Sequence, residues 1–195
     1  MLGQPRLILA SGSPRRQELL RDAGIEFEVF PANIREDLNP GERPLNYALR
    51  MAREKALKVA AEFPNAYVLG ADTIVVLDDQ VLAKPLDNHD AERMLAMLSN
   101  REHQVTTGVS VVAPGGQAET QSCTTAVRFR KLGEDEISKY IATGEPLDKA
   151  GGYAIQGGAA PWVVRLEGDY SNVVGLPMPL VGKMLKECGF QNLKG

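Results

Sequence analysis

Apolar positions along this chain follow two different periods, and the changes from one to the other mark out its elements. Leu7-Ile8-Leu9-Ala10 is a continuous apolar run that predicts a strand over 6–10. Pro14 then opens a helix over 14–23, with Ser13 placed to cap it, and a second strand is predicted over 26–31. Tyr47, Ala48, Met51, Ala52, Ala56, Val59 and Ala60 recur at helical spacing and predict a long amphipathic helix over 43–62. Tyr67–Ala71 reads as a strand, Asp72-Thr73 break its apolar run, and Ile74–Leu77 leads to a turn at Asp78-Asp79. A helix over 88–99 starts behind Asp87 or Asn88. Two extended runs, 104–113 and 117–130, meet at Pro114-Gly115-Gly116 and predict an antiparallel hairpin. A helix over 134–142, a glycine-rich stretch over 144–160, a strand over 162–167 and a helix over 179–188 complete the pattern. Strands that alternate with helices, together with one long hairpin, indicate an α/β fold with a mixed sheet flanked by helices. No repeat, low-complexity segment or linker interrupts it, so residues 1–195 read as a single domain.

Composition narrows the function more than the fold. Hydrophobic content of 44% and charged content of 24% are ordinary for a globular protein. A net charge of −3 argues against a broad nucleic-acid footprint but leaves room for a local cationic pocket that selects small anions. Cys123 and Cys188 belong to no CxxC or Cys/His cluster, which is expected of inert thiols in a reducing compartment. No apolar run is long enough for a membrane span, and the amino terminus lacks a signal-peptide pattern, so the cytoplasm is the expected location.

The segment RLILASGSPRRQELL changes the picture most. A helix start carries partial positive charge and favours an acid in its first turn, yet this one carries Arg15 and Arg16. Backbone N–H groups, the hydroxyls of Ser11 and Ser13, and two guanidinium groups converge on a site suited to an anion. The plainer reading is a capped surface helix with solvated arginines.

The usual hydrolase signatures are missing. There is no G-x-S-x-G elbow, H-E-x-x-H pair, phosphate-binding P-loop or dinucleotide fingerprint, and the chain has only His89 and His103. What remains is carboxylates, cations and glycine-rich loops. Asp72 interrupts an otherwise apolar strand, where a carboxylate needs a pairing partner or a metal, unless it is a turn residue at the strand's end. Glu36 is a second acid, on a loop, and two acids with nearby cations suit metal-assisted phosphoryl chemistry. Lys55 and Lys84 are the candidate cations, each of which alone reads as readily as a solvated lysine. Gln156, among the glycines, offers one acceptor and two donors, which complement the imide edge of uracil or thymine, or serve a turn.

In order along the chain, SGSPRR, AREKA, GADT, KP, VTTG, GEPLDKAGGYAIQG and YSNVVGLP resemble the Maf family of nucleoside triphosphate pyrophosphatases, from residue 6 to about 185. That resemblance implies an elongated, twisted mixed sheet with two lobes and a cleft between them. It implies hydrolysis of a nucleoside triphosphate to the monophosphate and pyrophosphate with a divalent cation (Mg²⁺, Mn²⁺ or Co²⁺), and usually a homodimer; with the charge and hydropathy above, no nucleic acid and no membrane are expected as partners. Asp72 falls at the family's proton-acceptor position, and Ser11, Arg16, Glu36, Lys55 and Lys84 fall on its phosphate and metal pocket. Arg15, Thr73 and Gln156 match the dTTP/UTP subgroup, whereas the 7-methyl-GTP subgroup has an aromatic, a glutamine and a glutamate. The family is also associated with inhibition of septum formation, so a nucleotide-binding interaction protein is the alternative from another class.

Overall fold

Leu7–Leu9 (β1) forms the parallel centre of a mixed sheet and is buried along its whole length. Such a strand needs apolar residues on both faces, which accounts for its unbroken rather than alternating run. The computed structural model describes residues 6–191. The chain continues as α1 (Pro14–Asp22), β2 (Glu28–Val29), α2 (Pro44–Ala60), β3 (Tyr67–Leu77), β4 (Gln80–Leu82) and α3 (Asn88–Leu98). Then come β5 (Glu102–Val112), β6 (Ala118–Phe129), α4 (Glu134–Ile141), β7 (Val163–Glu167), α5 (Tyr170–Val174) and α6 (Met178–Glu187). The sheet has seven strands in the order β2-β1-β3-β5-β6-β7, with β4 also paired to β3. β1 runs parallel to β2 and β3, while β4 and β7 run antiparallel to β3 and β6, so the sheet is mixed as expected.

Contacts divide the chain into two compact units. The first takes in the residues up to Asp72, Thr107–Cys123 and those from Gly175 onward; the second holds Thr73–Thr106 and Thr124–Val174. In the first, Leu7 and Leu9 join one apolar cluster with Leu69, Val109, Leu176 and Phe190. Ile8 and Ala10 face another with Ala56, Val59 and Val68. Alternation along β1 thus feeds two cores, one on each face of the sheet. Helix α2 lies unusually close to its face. A Cβ on Gly70 would come 2.8 Å from the Ala56 backbone nitrogen, and one on Gly108 would come 2.6 Å from the Ala48 carbonyl carbon. Glycine at these positions lets the α2 backbone rest directly on β3 and β5.

In the second unit α3 packs on α4, and an aromatic group fills the core. Phe129 meets Tyr153 edge to face at 4.8 Å, as Tyr140 meets Trp162. The structure departs from the sequence pattern in four places. β3 runs unbroken through Asp72 and Thr73, so Asp72 is a strand residue and not a turn. β4 is an additional short strand, reached through Asp78 and Asp79 at φ 50° and 61°, the positive pair of a tight hairpin turn. β2 shortens to two residues. α5 is an additional turn of helix, led in by Asp169, whose carboxylate accepts from the Ser171 N–H at 2.7 Å. Among the described residues no helix is long and apolar enough to cross a membrane, and neither cysteine is in a disulfide.

Candidate active site

The close seat of α2 on β3 places Lys55 against Asp72, within the first unit. Lys55 Nζ lies 2.6 Å from Asp72 Oδ1 and 2.6 Å from Glu36 Oε1. Lys55 and Asp72 are both buried, at 9% and 7% exposure. A buried ammonium is tolerated here because two carboxylates share it, and the trio keeps one excess negative charge. Glu36 stands on a loop, and α2 holds that loop by its backbone. The Tyr47 hydroxyl donates to the Glu36 carbonyl at 2.9 Å, and Arg50 Nη2 donates to the Asp37 carbonyl at 2.9 Å. Arg50 also grips Glu42 at 2.6 Å and lies over the Tyr47 ring at 5.5 Å. Burial, and then the negative charges of Asp72 and Glu36, push the Tyr47 hydroxyl up to about 12. It therefore stays protonated and remains a donor at any ordinary pH.

The start of α1 completes the group. Ser13 takes the cap position and Pro14 the first helical position, as the sequence pattern predicts, but the Ser13 side chain makes no capping bond. Instead the Ser13 N–H donates to Ser11 Oγ at 3.2 Å. Arg16 Nη1 donates to that same Ser11 Oγ at 3.0 Å, and Arg16 Nε donates to the Gly175 carbonyl at 2.8 Å. Burial pulls the Arg16 pKa below its ordinary value, Arg15 adds to the fall, and Asp72 and Glu36 oppose it. Arg16, Arg15, Asp72 and Glu36 thus act in one electrostatic field. Arg15 is half-buried, and its Nε has no hydrogen-bond partner.

The structure gathers Ser11, Arg16, Glu36, Lys55 and Asp72, with Ser13 and Arg15 on the same helix start. Thr73, Lys84 and Gln156 belong to the second unit. Thr73 directly follows Asp72 on β3 and is half-buried. Lys84 is exposed just after β4, where the Gly151 N–H donates to the Ala83 carbonyl at 3.0 Å and ties the glycine-rich segment down. Gln156 is exposed on a turn closed by the Gly157 N–H donating to the Ala154 carbonyl at 3.1 Å. Tyr47 and Arg50 read in the sequence only as parts of a helix. A phenol inside an otherwise aliphatic stripe, eight residues before Lys55, was the one available sign of their task. Of the two histidines, His89 is exposed and His103 is buried against Tyr153.

Glu36 and Asp72 offer hard oxygen donors of excess negative charge, which suits a Mg²⁺-type ion that takes one or two carboxylates, waters and substrate phosphate oxygens. Among the described residues no cluster of three or more acids, histidines or cysteines forms a closed cage. The two-acid arrangement leaves the remaining coordination to water and phosphate, so the residues fit such an ion.

A family model described as "Maf-like protein" matches residues 6–188. A protein of Koribacter versatilis named dTTP/UTP pyrophosphatase is 53% identical over 184 residues, covering 94% of this chain and 94% of its own length. A dTTP/UTP pyrophosphatase of Geobacter metallireducens is 48% identical over 185 residues, covering 94% of this chain and 96% of its own length. Among solved structures, a HAM1 protein from Coxiella burnetii aligns over 94% of this chain and 100% of that one, with TM-score 0.47 and 14% identity.

Proposed function

The chain belongs to the Maf-like protein family, and we propose that it hydrolyses dTTP and UTP to the nucleoside monophosphate and pyrophosphate. The observation that carries this reading is Lys55 shared between Asp72 and Glu36 beside Arg16, a compact set of acids and cations suited to phosphoryl transfer. Water attacks the α-phosphorus in line; the bond from that phosphorus to the bridging oxygen breaks, and pyrophosphate leaves with the electron pair. Asp72 accepts the proton of the attacking water. Arg16, Lys55, Lys84 and the Ser11–Ser13 helix start offset the negative charge that builds on the departing pyrophosphate. A divalent cation held by Glu36 and Asp72 (Mg²⁺, Mn²⁺ or Co²⁺), when bound, supplies positive charge against the triphosphate.

Base choice falls to Arg15, Thr73 and Gln156. The Gln156 amide accepts from a ring N–H and donates to a flanking carbonyl, which fits the imide edge of thymine and uracil. Family membership supports a cytoplasmic homodimer as the working form. Pyrophosphate release from a panel of dTTP, UTP, CTP and 7-methyl-GTP, repeated with each of the three metals, tests the reading. dTTP and UTP are expected to turn over fastest; 7-methyl-GTP outrunning both contradicts it.

A further inference from the structure

Gln156 sits on an exposed turn whose two flanks are held by hydrogen bonds within the second unit, buried ones on the amino-terminal side and an exposed one on the carboxy-terminal side. On the amino-terminal flank Tyr153 is buried, with its hydroxyl 2.7 Å from His103 Nε2. The next residue, Ala154, donates its N–H to the Tyr140 hydroxyl oxygen at 3.0 Å. On the carboxy-terminal flank the Gly158 N–H donates to Glu145 Oε2 at 3.0 Å. Phe129 stands edge-on to both members of the first pair, at 5.0 Å from the His103 ring and 4.8 Å from the Tyr153 ring. Packing therefore holds both rings in fixed orientations, and Gln156 is presented from a turn with little freedom to move.

His103 is 2% exposed, and burial pushes its pKa down to about 4, so the ring is neutral near pH 7. Burial also pushes the Tyr153 hydroxyl well above its ordinary value, so it keeps its proton. Nδ1 of His103 is buried without a hydrogen-bond partner. An orphaned buried nitrogen is destabilising, and a phenylalanine would fill the same space without that cost. The ring's hydrogen bond is to Tyr153, three residues before Gln156.

We infer that the buried His103–Tyr153 pair is a positioning device for Gln156, and that it sets base selectivity without touching the substrate. The inference rests on Gln156 reading the base, as proposed above. A site built to hydrogen-bond a ring edge discriminates only if its donor and acceptor are held in register.

The test compares Tyr153→Phe, His103→Phe and the double variant with Gln156→Ala. For each, kcat and KM are measured with dTTP and dGTP, together with thermal stability. Either single variant is expected to lower the dTTP-over-dGTP ratio of kcat/KM about tenfold, through KM for dTTP, with kcat within about twofold. Replacing both polar partners by rings of similar shape removes the unpaired group, so the double variant is expected to regain stability. It is not expected to regain selectivity. Selectivity that returns with stability in the double variant, or that never changes while Gln156→Ala does change it, overturns the inference. A Gln156→Ala variant of unaltered selectivity overturns the base-reading role itself and the inference with it.

Discussion

Lys55 Nζ and Asp72 Oδ1 stand 2.6 Å apart in the buried floor of the site, and the same ammonium reaches Glu36 at 2.6 Å. One lysine therefore keeps two carboxylates close that would otherwise repel each other. Lys55→Met removes the shared cation and leaves Asp72, at 7% exposure, without its hydrogen-bonded partner and with only the longer-range charge of Arg16. Breaking a buried pair in this way is expected to cost on the order of 3 kcal/mol of stability, read by urea unfolding. Turnover of dTTP is expected to fall at least about a hundredfold, because the variant loses both a cation against the leaving group and the alignment of Asp72.

Tyr47→Phe is a gentler change at the same site. It deletes the bond from the Tyr47 hydroxyl to the Glu36 carbonyl and leaves every charge in place. About 1 kcal/mol of stability is expected to be lost. The metal concentration needed for half-maximal activity is expected to rise by about fivefold while kcat at saturating metal stays close to normal. Equal loss of kcat at every metal concentration would instead point to a role in the chemical step.

Stability carries a pH signature from His103. Its folded pKa of about 4 lies below the ordinary 6.5, so the unfolded chain binds the proton more readily. The neutral ring's contribution is fully present above pH 6.5 and is lost as pH falls through 4. Between pH 7 and 4.5 that loss amounts to about 2 kcal/mol, which is expected to be missing from His103→Phe in unfolding measured at the two pH values.

Gly70→Ala tests how α2 is seated. The added Cβ would meet the Ala56 backbone nitrogen at 2.8 Å, so the helix must lift from β3. A cost of about 1–3 kcal/mol is expected, with dTTP turnover falling further than stability because Lys55 rides on that helix. Turnover that follows stability alone would show that the Lys55–Asp72 pair tolerates the shift.

Much of this was legible in the chain. The α2 stripe, the long hairpin and the unbroken apolar run of β1 all carry local periods that survive into the fold. Tertiary choices did not. Asp72 lies within a strand because β3 is paired at both ends, to β1 over Tyr67–Leu69 and to β4 over Val75–Leu77, and runs unbroken through the polar pair between them. Arg16 looked like a cation awaiting an anion, yet it bonds the Gly175 carbonyl, a partner 159 positions away that no window of sequence reveals. Ser13 occupies its cap position while Ser11 accepts the local N–H, and Arg16 donates to the same Ser11 oxygen. The turn at Asp78-Asp79 is legible in the sequence, but the three-residue strand β4 behind it is too short to carry a period of its own. Tyr47 was hidden because an aromatic ring within an apolar stripe looks like core, and only the placement of the Glu36 loop gives its hydroxyl a task.

The most direct test of the central claim is pyrophosphate release from dTTP by Asp72→Asn. Asparagine keeps the shape and can still accept from Lys55, but it is too weak a base to take the proton of the attacking water. The account predicts a folded variant that still binds dTTP and whose pyrophosphate release is lower by at least about a thousandfold. Near-normal release from that variant would contradict it.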